Sequence, residues 1–208
     1  MDYQTSNLDS ARADAGSAER RQATRYTSLI RSAKLVCSKG EFVCVVRDVS
    51  ETGISLRSFH ALPSDDRMEL VLQNGLRYEL NMVRMQDLVA SFTFPASVDV
   101  EQLIVETGKF PKRQLRVEVS LPTSVTTITQ RFSGDIRNLS QQGALLDCEA
   151  MFAIEQPLQI EASGMPKVRA KVRWRQDNSY GLAFDNHFSL SEFALLAAKL
   201  QCPELLQG

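Results

Sequence analysis

Hydrophobic residues occur along most of the chain in short runs that are separated by polar, turn-forming segments. In the first half these runs are rich in Val, Leu and Phe: LIRSAKLVC, EFVCVVRDVS, GISLRSF, RMELVLQ, LRYELNMVRM and LVASFTF. The breaks between them include SKG, ETG, PSDD and QNG. Short apolar runs bounded by Gly, Pro, Asn and Asp are typical of strands joined by tight turns. The second half has the same pattern, so the chain is predicted to be mainly β.

The second half also repeats the first at a nearly constant separation. Asp48, Ser50 and Gly53 align with Asn138, Ser140 and Gly143 at 90 residues, Phe94 with Phe184 at 90, Val83-Arg84 with Val172-Arg173 at 89, and Arg25 with Arg116 at 91. A separation this steady predicts two copies of one domain of about 90 residues. We expect the copies to meet near residues 108–111.

Each copy ends in a pattern that predicts a helix. In SLSEFALLAAKLQCP, Ser189 can cap the first turn and Glu192 can reach back to it, while Pro203 ends the helix. Four apolar residues share one face of this helix: Leu190, Phe193, Ala197 and Leu200. The first copy has a shorter counterpart in DVEQLIVETG, which starts at Asp99.

Three regions follow from these patterns. Residues 1–18 are mostly small or polar and have little to bury, so we expect a disordered tail. Residues 19–107 form the first domain and residues 108–208 the second.

Charge and composition restrict the function. The chain has 24 Lys and Arg against 25 Asp and Glu, a formal net charge of -1, which argues against general affinity for DNA or anionic membranes. No apolar run approaches the roughly 20 residues of a membrane-spanning helix, and no export pattern opens the sequence, so we expect a cytoplasmic protein without membrane insertion.

Cysteine and histidine give little sign of a metal site. The four cysteines are far apart and never form CxxC, and neither His60 nor His187 has ligands near it in sequence. We therefore expect no metal and no cofactor. Cys37 and Cys44 are assigned to packing, and the two histidines to surface or partly packed positions near turns.

A basic cluster and a polar turn motif carry the candidate chemistry. RRQATR, residues 20–25, precedes the first predicted strand and places Arg21 and Arg25 at RxxxR spacing. Asp48, Ser50 and Gly53 then form DxSxxG. This order resembles the PilZ domain, whose signature is RxxxR followed by (D/N)xSxxG. The closing strands of the second copy, VRWRQDNSYGLAF, are also similar to that family, and the resemblance covers nearly everything after the tail.

The resemblance implies two tandem six-stranded antiparallel β-barrels, each with a C-terminal helix, in a bacterial receptor for the second messenger cyclic di-GMP. It implies that the ligand contacts these residues of the first copy: Arg20, Arg21, Arg25, Asp48, Ser50 and Gly53. Their chemistry suits such a ligand. A guanidinium can pair with O6 and N7 of guanine or stack on the base. A carboxylate can accept from guanine N–H groups, and a glycine lets the backbone come close.

The second copy departs from the signature at one position. Lys112 stands four residues before Arg116, and lysine lacks the planar fork and the stacking surface of arginine. We expect this copy to bind weakly or not at all, and to act otherwise as a packing partner or output surface. The residues of such a weaker second site are Lys112, Arg113, Arg116, Asn138, Ser140 and Gly143, with Arg113 able to compensate through a shift in register.

Two other functions are weighed against a receptor. A PilZ-fold adaptor that binds a protein effector but no nucleotide is the main alternative. An enzyme such as a phosphodiesterase is disfavoured, because the sequence offers no cluster of metal-holding carboxylates or an activated base.

The run KVRAKVRWR, residues 167–175, is predicted to be a strand with two different faces. Five bases alternate with Val168, Ala170, Val172 and Trp174, which places Trp174 on the core side. The basic face suits a solvated barrel surface better than a nucleic-acid or phospholipid site.

Overall fold

The computed structural model of the chain describes residues 26–65, 67–104 and 114–207. The predicted tail and the predicted junction near residues 108–111 lie outside the described residues.

The first copy is a closed barrel of six strands. They are β1 (Tyr26–Cys37), β2 (Gly40–Val49), β3 (Gly53–Arg57), β4 (Met68–Leu72), β5 (Arg77–Gln86) and β6 (Val89–Thr93). All neighbouring strands are antiparallel, and the order around the barrel is β1-β2-β3-β6-β5-β4. A short helix, α1 (Val100–Ile104), follows β6.

The second copy repeats this architecture. Its strands are β7 (Val117–Thr126), β8 (Arg131–Leu139), β9 (Gly143–Asp147), β10 (Pro157–Ala162), β11 (Val168–Gln176) and β12 (Ser179–Phe184). They close in the equivalent order, β7-β8-β9-β12-β11-β10. Helix α2 (Leu190–Gln201) and a 3-10 turn (Pro203–Leu206) complete the described chain. The predicted fold, two six-stranded antiparallel barrels with C-terminal helices, is confirmed.

Helix α2 forms where the sequence predicted it. The backbone N–H of Glu192 donates to Ser189 Oγ over 3.2 Å, and the Glu192 carboxylate accepts from the Ser189 N–H over 2.8 Å. This reciprocal pair is the predicted capping box. Phe193 and Ala197 are buried in the second barrel's core, and Leu190 and Leu200 pack against it.

Helix α2 also contacts the first barrel. Its residue Ala198, together with Cys202 just beyond it, belongs to the first core, while Val43 of β2 belongs to the second. The Gln201 side chain accepts from the Glu41 N–H and donates to the Glu41 carbonyl oxygen, each over 2.8 Å. The two barrels therefore share α2 as a packing element.

The carboxylate of Glu41 adds polar contacts at the same junction. It forms a 2.7 Å ion pair with Lys34 and accepts from the backbone N–H of Glu118 over 2.7 Å. Both charged side chains are largely buried, with 12% and 16% of their surface exposed. Because β2 and β7 meet at this carboxylate, it links the barrels directly.

The expected environment of one histidine was wrong. His60 is buried, with its ring centroid 5.5 Å from that of Phe42 in an edge-to-face arrangement, because the loop after β3 folds over β2. Its Nδ1 lies 2.6 Å from the Ala61 carbonyl oxygen, to which it donates. His187 is exposed. Cys44 is fully buried as predicted, and burial raises the pKa of its thiol to about 12.

Candidate functional site

The DxSxxG motif of the first copy forms the turn between β2 and β3. The Ser50 N–H donates to the Gly53 carbonyl oxygen over 2.8 Å. The Ser50 hydroxyl accepts from the Gly53 N–H and donates to the Gly53 carbonyl oxygen, each over 3.2 Å. Ser50 therefore fixes the shape of the turn through both its backbone and its side chain, a function that a polar turn residue has without any ligand.

The same turn holds the segment that follows β6. The Phe94 N–H donates to the Thr52 carbonyl oxygen over 3.0 Å, and the Val98 N–H donates to that of Glu51 over 2.9 Å. The motif thus determines where the chain leaves the barrel on its way to α1.

The second copy reproduces these hydrogen bonds ninety residues later. Ser140 N–H donates to Gly143 O over 2.9 Å, Phe184 N–H to Gln142 O over 2.8 Å, and Phe188 N–H to Gln141 O over 2.9 Å. The Ser140 hydroxyl is also bonded to Gly143, as Ser50 is to Gly53. The motif repeat seen in the sequence is therefore a repeat of one turn geometry.

The motif glycines allow the neighbouring strand to come close. A Cβ on Gly53 would lie 3.0 Å from the Phe92 carbonyl oxygen, and one on Gly143 would overlap the equivalent oxygen of Leu182. Neither glycine has a positive φ. The requirement for glycine therefore comes from the approach of β6 or β12 and not from backbone conformation.

Strands β1 and β7 both begin opposite the motif. Tyr26 and Thr27 pair with Val49 and Asp48, the two residues before the Ser50 turn. In the second barrel Val117 and Glu118 pair with Leu139 and Asn138 in the same way. Asp48 is half-buried and Asn138 is buried. In each domain the first strand therefore begins beside the motif turn of that domain.

The predicted basic residues are only partly covered by the structure. Arg20, Arg21, Arg25, Lys112 and Arg113 lie outside the described residues. Arg116 is described: it is exposed and directly precedes β7. Two further bases near the start of the first domain are also described. Lys34 pairs with Glu41, and Arg31 donates to the Leu103 carbonyl oxygen over 3.3 Å.

An open cleft of about 350 Å³ lies at the motif of the second barrel. It brings together three predicted residues, Arg116, Ser140 and Gly143. It also contains three residues that sequence reasoning did not assign to a site, Arg173, Trp174 and His187. Asn138 is not among the residues that line it. The cleft presents cationic groups, a hydroxyl and an aromatic surface together.

The prediction that Trp174 lies in the core was wrong. Val172 pairs with Leu182, but Trp174 pairs with Gly181, so Arg173 is an extra residue in β11. This β-bulge breaks the alternation and turns the indole outward, where it is 42% exposed. Gly181 makes the arrangement possible, because a Cβ at that position would overlap the Trp174 ring.

The bulge also corrects the alignment of the two copies. In the first barrel Met82 pairs with Phe92 and Arg84 with Ser91, which makes Val83 the extra residue. Val83 therefore corresponds to Arg173, at 90 residues, and the alignment at 89 was one residue out. At a constant separation of 90 residues, Trp174 aligns with Arg84 of β5, which is exposed.

Three of the five bases in residues 167–175 lie beside carboxylates. Lys167 lies 2.7 Å from Glu161, Arg169 3.5 Å from Asp185 and Arg173 2.6 Å from Glu155. These partners favour a solvated barrel surface over a site for a polyanion.

The described ranges contain neither a metal-binding cluster nor a membrane-spanning helix. No group of three or more His, Cys, Asp or Glu among the described residues is placed to hold a metal ion. Within residues 26–65, 67–104 and 114–207, no helix has the length and hydropathy needed to cross a bilayer.

Comparison with known proteins finds one matching family model and several similar solved structures. A family model described as "PilZ domain" matches residues 19–105 and again residues 111–201. No curated protein matches the chain. One similar solved structure is PlzA from Borreliella burgdorferi in complex with c-di-GMP, with 13% identity and a TM-score of 0.36 over 90% of this chain and 97% of that one.

Two further solved structures are similar at comparable levels. MotI/DgrA, an inhibitor of motility from Bacillus subtilis, has 11% identity and a TM-score of 0.35 over 86% of this chain and 97% of that one. YcgR from Escherichia coli, in complex with c-di-GMP, has 12% identity and a TM-score of 0.31 over 86% and 84%.

Proposed function

The chain belongs to the PilZ domain family, and on that basis we propose that it is a non-catalytic receptor for cyclic di-GMP, which it binds through its first barrel. The proposed ligand-binding residues are Arg20, Arg21, Arg25, Asp48, Ser50 and Gly53.

The observation that carries this proposal is that β1 begins beside the motif turn. Tyr26 pairs with Val49, the residue directly before Ser50. Arg25 is covalently bonded to Tyr26, and Arg21 precedes it by four residues. Since each residue extends a chain by at most about 3.6 Å, the arginine cluster is tethered within reach of the turn.

The second barrel supports the same arrangement through the repeat. There Arg116 directly precedes β7 and lines one cleft with Ser140 and Gly143. Because Tyr26 and Val117 begin equivalent strands with equivalent partners, Arg25 is the counterpart of Arg116. An arginine at this position suits a ligand that rests on the motif turn.

The ligand's chemistry matches these side chains. Cyclic di-GMP presents two phosphates and two guanine bases. Guanidinium groups bind phosphate through paired N–H donors and meet the O6 and N7 acceptors of guanine in one plane. Asp48 is suited to accept from guanine N–H groups or to orient an arginine. With Ser50 bonded to Gly53, its hydroxyl contributes mainly by holding the backbone of the turn toward the ligand.

The cleft in the second barrel supports a weaker second site. Arg116 supplies the cation and Trp174 an aromatic surface for base stacking, which contributes about 1–3 kcal/mol per base in nucleic-acid sites. Lys112 in place of arginine weakens the site, since it lacks the planar fork. We propose one strong site in the first barrel and a weaker one in the second.

The signal is proposed to pass to a protein effector through the junction of the barrels. A ligand changes a population only through its preference for one arrangement. Strand β1 carries both the start of the proposed site and Lys34, which pairs with Glu41 at the shared junction. Ligand contacts made by the arginines that precede β1 in sequence can therefore change how tightly the first barrel holds α2.

Calorimetric titration with cyclic di-GMP tests the proposal. We expect Arg21→Ala or Arg25→Ala to weaken binding in the first barrel by about tenfold to a hundredfold, since each charge-assisted contact contributes about 1.5–3 kcal/mol. Arg57→Ala is the matched control, because Arg57 is an exposed arginine at the opposite end of β3. Trp174→Ala should abolish only the weaker of the two binding events in the titration, that of the second barrel.

Two outcomes would contradict the proposal that the chain is a cyclic di-GMP receptor. Absence of heat from the wild-type protein would favour the adaptor that binds no nucleotide. Equal losses in the Arg57→Ala and Arg25→Ala variants would show that general charge, and not the motif, holds the ligand.

A further inference from the structure

One face of the first barrel is covered by the second domain. On β2, Val43 is fully buried in the core cluster formed with α2 and the second barrel. Phe59, in the loop after β3, packs against the same cluster. Gln201 of α2 is hydrogen-bonded to Glu41 of β2. This face of the barrel therefore serves as a docking surface for a helix.

The repeat places an open surface at the equivalent position of the second barrel. Val43, Val45 and Phe59 correspond to Ser133, Asp135 and Glu149 at 90 residues, and the pairing of β7 with β8 matches that of β1 with β2 here. The three replacements line a cleft of about 1200 Å³. An apolar docking surface in one copy is thus a polar, open cleft in the other.

The cleft is acidic. Asp135, Asp147, Glu149 and Asp177 line it, and no Lys or Arg of the described ranges does. Asp147 lies 3.6 Å from Arg137 and accepts from the Ser179 hydroxyl. The other three carboxylates have no ion pair or side-chain hydrogen bond within the described part of the chain. Acidic groups grouped in a concave surface give a negative potential that attracts a cationic partner.

Apolar groups lie in and beside the cleft. Phe132 in the cleft wall is only partly buried and packs edge-on against Phe152. Met151, next in sequence to the lining residue Ala150, is 82% exposed. A cleft larger than most small-molecule sites, with apolar anchors and unpaired carboxylates, suits a segment of polypeptide.

We propose that this cleft binds a basic segment of a partner protein, with Lys or Arg side chains on Asp135, Glu149 and Asp177 and an apolar side chain against Phe132. The inference goes beyond nucleotide binding, because the cleft lies at the end of β8 opposite to the Ser140 turn. It locates the output surface on the second domain.

A random library of 12-residue peptides displayed on phage, selected on the full-length chain, tests this. We expect selected peptides to combine several Lys or Arg with one large apolar residue. Synthesised peptides should bind the Asp135→Asn/Glu149→Gln variant about tenfold more weakly, and binding should fall with added salt. The matched control is Glu79→Gln/Glu101→Gln, which removes two exposed carboxylates from the first domain.

The proposal is overturned if no peptide is enriched, if the enriched peptides are not basic, or if both double variants bind them equally. Sedimentation of the peptide-free protein provides a further check. Self-association that disappears in the Asp135→Asn/Glu149→Gln variant would assign the cleft to a second copy of this chain, and would also overturn the proposal.

Discussion

The motif glycines differ in how closely the next strand approaches them. An added methyl group at Gly143 overlaps a backbone oxygen of Leu182, whereas at Gly53 it lies 3.0 Å from Phe92 O. We expect Gly143→Ala to lower the free energy of unfolding by about 2–3 kcal/mol, because β12 must move. Gly53→Ala should cost about 1 kcal/mol or less, since the reduced entropy of the unfolded chain offsets a small shift.

Urea denaturation followed by circular dichroism measures both variants. Gly53→Ala is the matched control, because its turn makes the same hydrogen bonds. A Gly143→Ala protein as stable as Gly53→Ala would contradict the argument from strand approach.

The positions of individual side chains were predicted correctly where they depend only on nearby residues in a regular helix or strand. Ser189 and Glu192 cap α2 as expected, since capping depends on residues three apart. Trp174 was misplaced because a single extra residue, Arg173, reverses the alternation on which the prediction depended. His60 was misplaced because only the folded loop brings it onto Phe42.

The stability of helix α2 can be tested with a single substitution, because the Ser189 side chain caps its first turn. Ser189→Ala removes the acceptor for the Glu192 N–H, and we expect a loss of about 1 kcal/mol in the free energy of unfolding. Ser189→Asp retains an acceptor and should keep most of the stability. Thermal unfolding of the two variants provides the comparison, and an equal loss in both would mean that the side-chain acceptor at position 189 does not account for the loss.

The strands and helices themselves were predictable from hydrophobic pattern and turn residues. The contacts of α2 were not. Its apolar face was predicted from Leu190, Phe193, Ala197 and Leu200, which all face the second core. The residue Ala198 and the following Cys202 instead reach the first core, and one helical pattern does not reveal that two barrels share it.

The repeat organises the whole molecule, and the sequence revealed it because the motif spacing survives even where other residues differ. How the two barrels pack together depends on positions at which the two copies have different residues. Val43 is apolar and covered, while its counterpart Ser133 lines an open cleft. Pattern analysis finds the similarity between the copies, but the differences decide which surface packs and which stays open.

The shared helix predicts that the barrels unfold together. Unfolding either barrel exposes apolar surface of the other through Val43 or Ala198, so both should be lost in one transition. Gln201→Ala leaves the Glu41 N–H and carbonyl oxygen without their partner, at a cost of about 1–3 kcal/mol at the junction. This variant should separate the two barrels during unfolding.

The chain carries its own probe for that experiment, since its single tryptophan, Trp174, lies in the second barrel. In urea, Trp174 fluorescence and far-ultraviolet circular dichroism should coincide in the wild-type protein and diverge in Gln201→Ala. Gln86→Ala, an exposed glutamine in β5, should leave them coincident. If the two signals stay superimposed in Gln201→Ala, the hydrogen bonds between Gln201 and Glu41 do not couple the barrels. A signal from the first domain would then have to pass through other contacts, such as that of the Glu41 carboxylate with the Glu118 N–H.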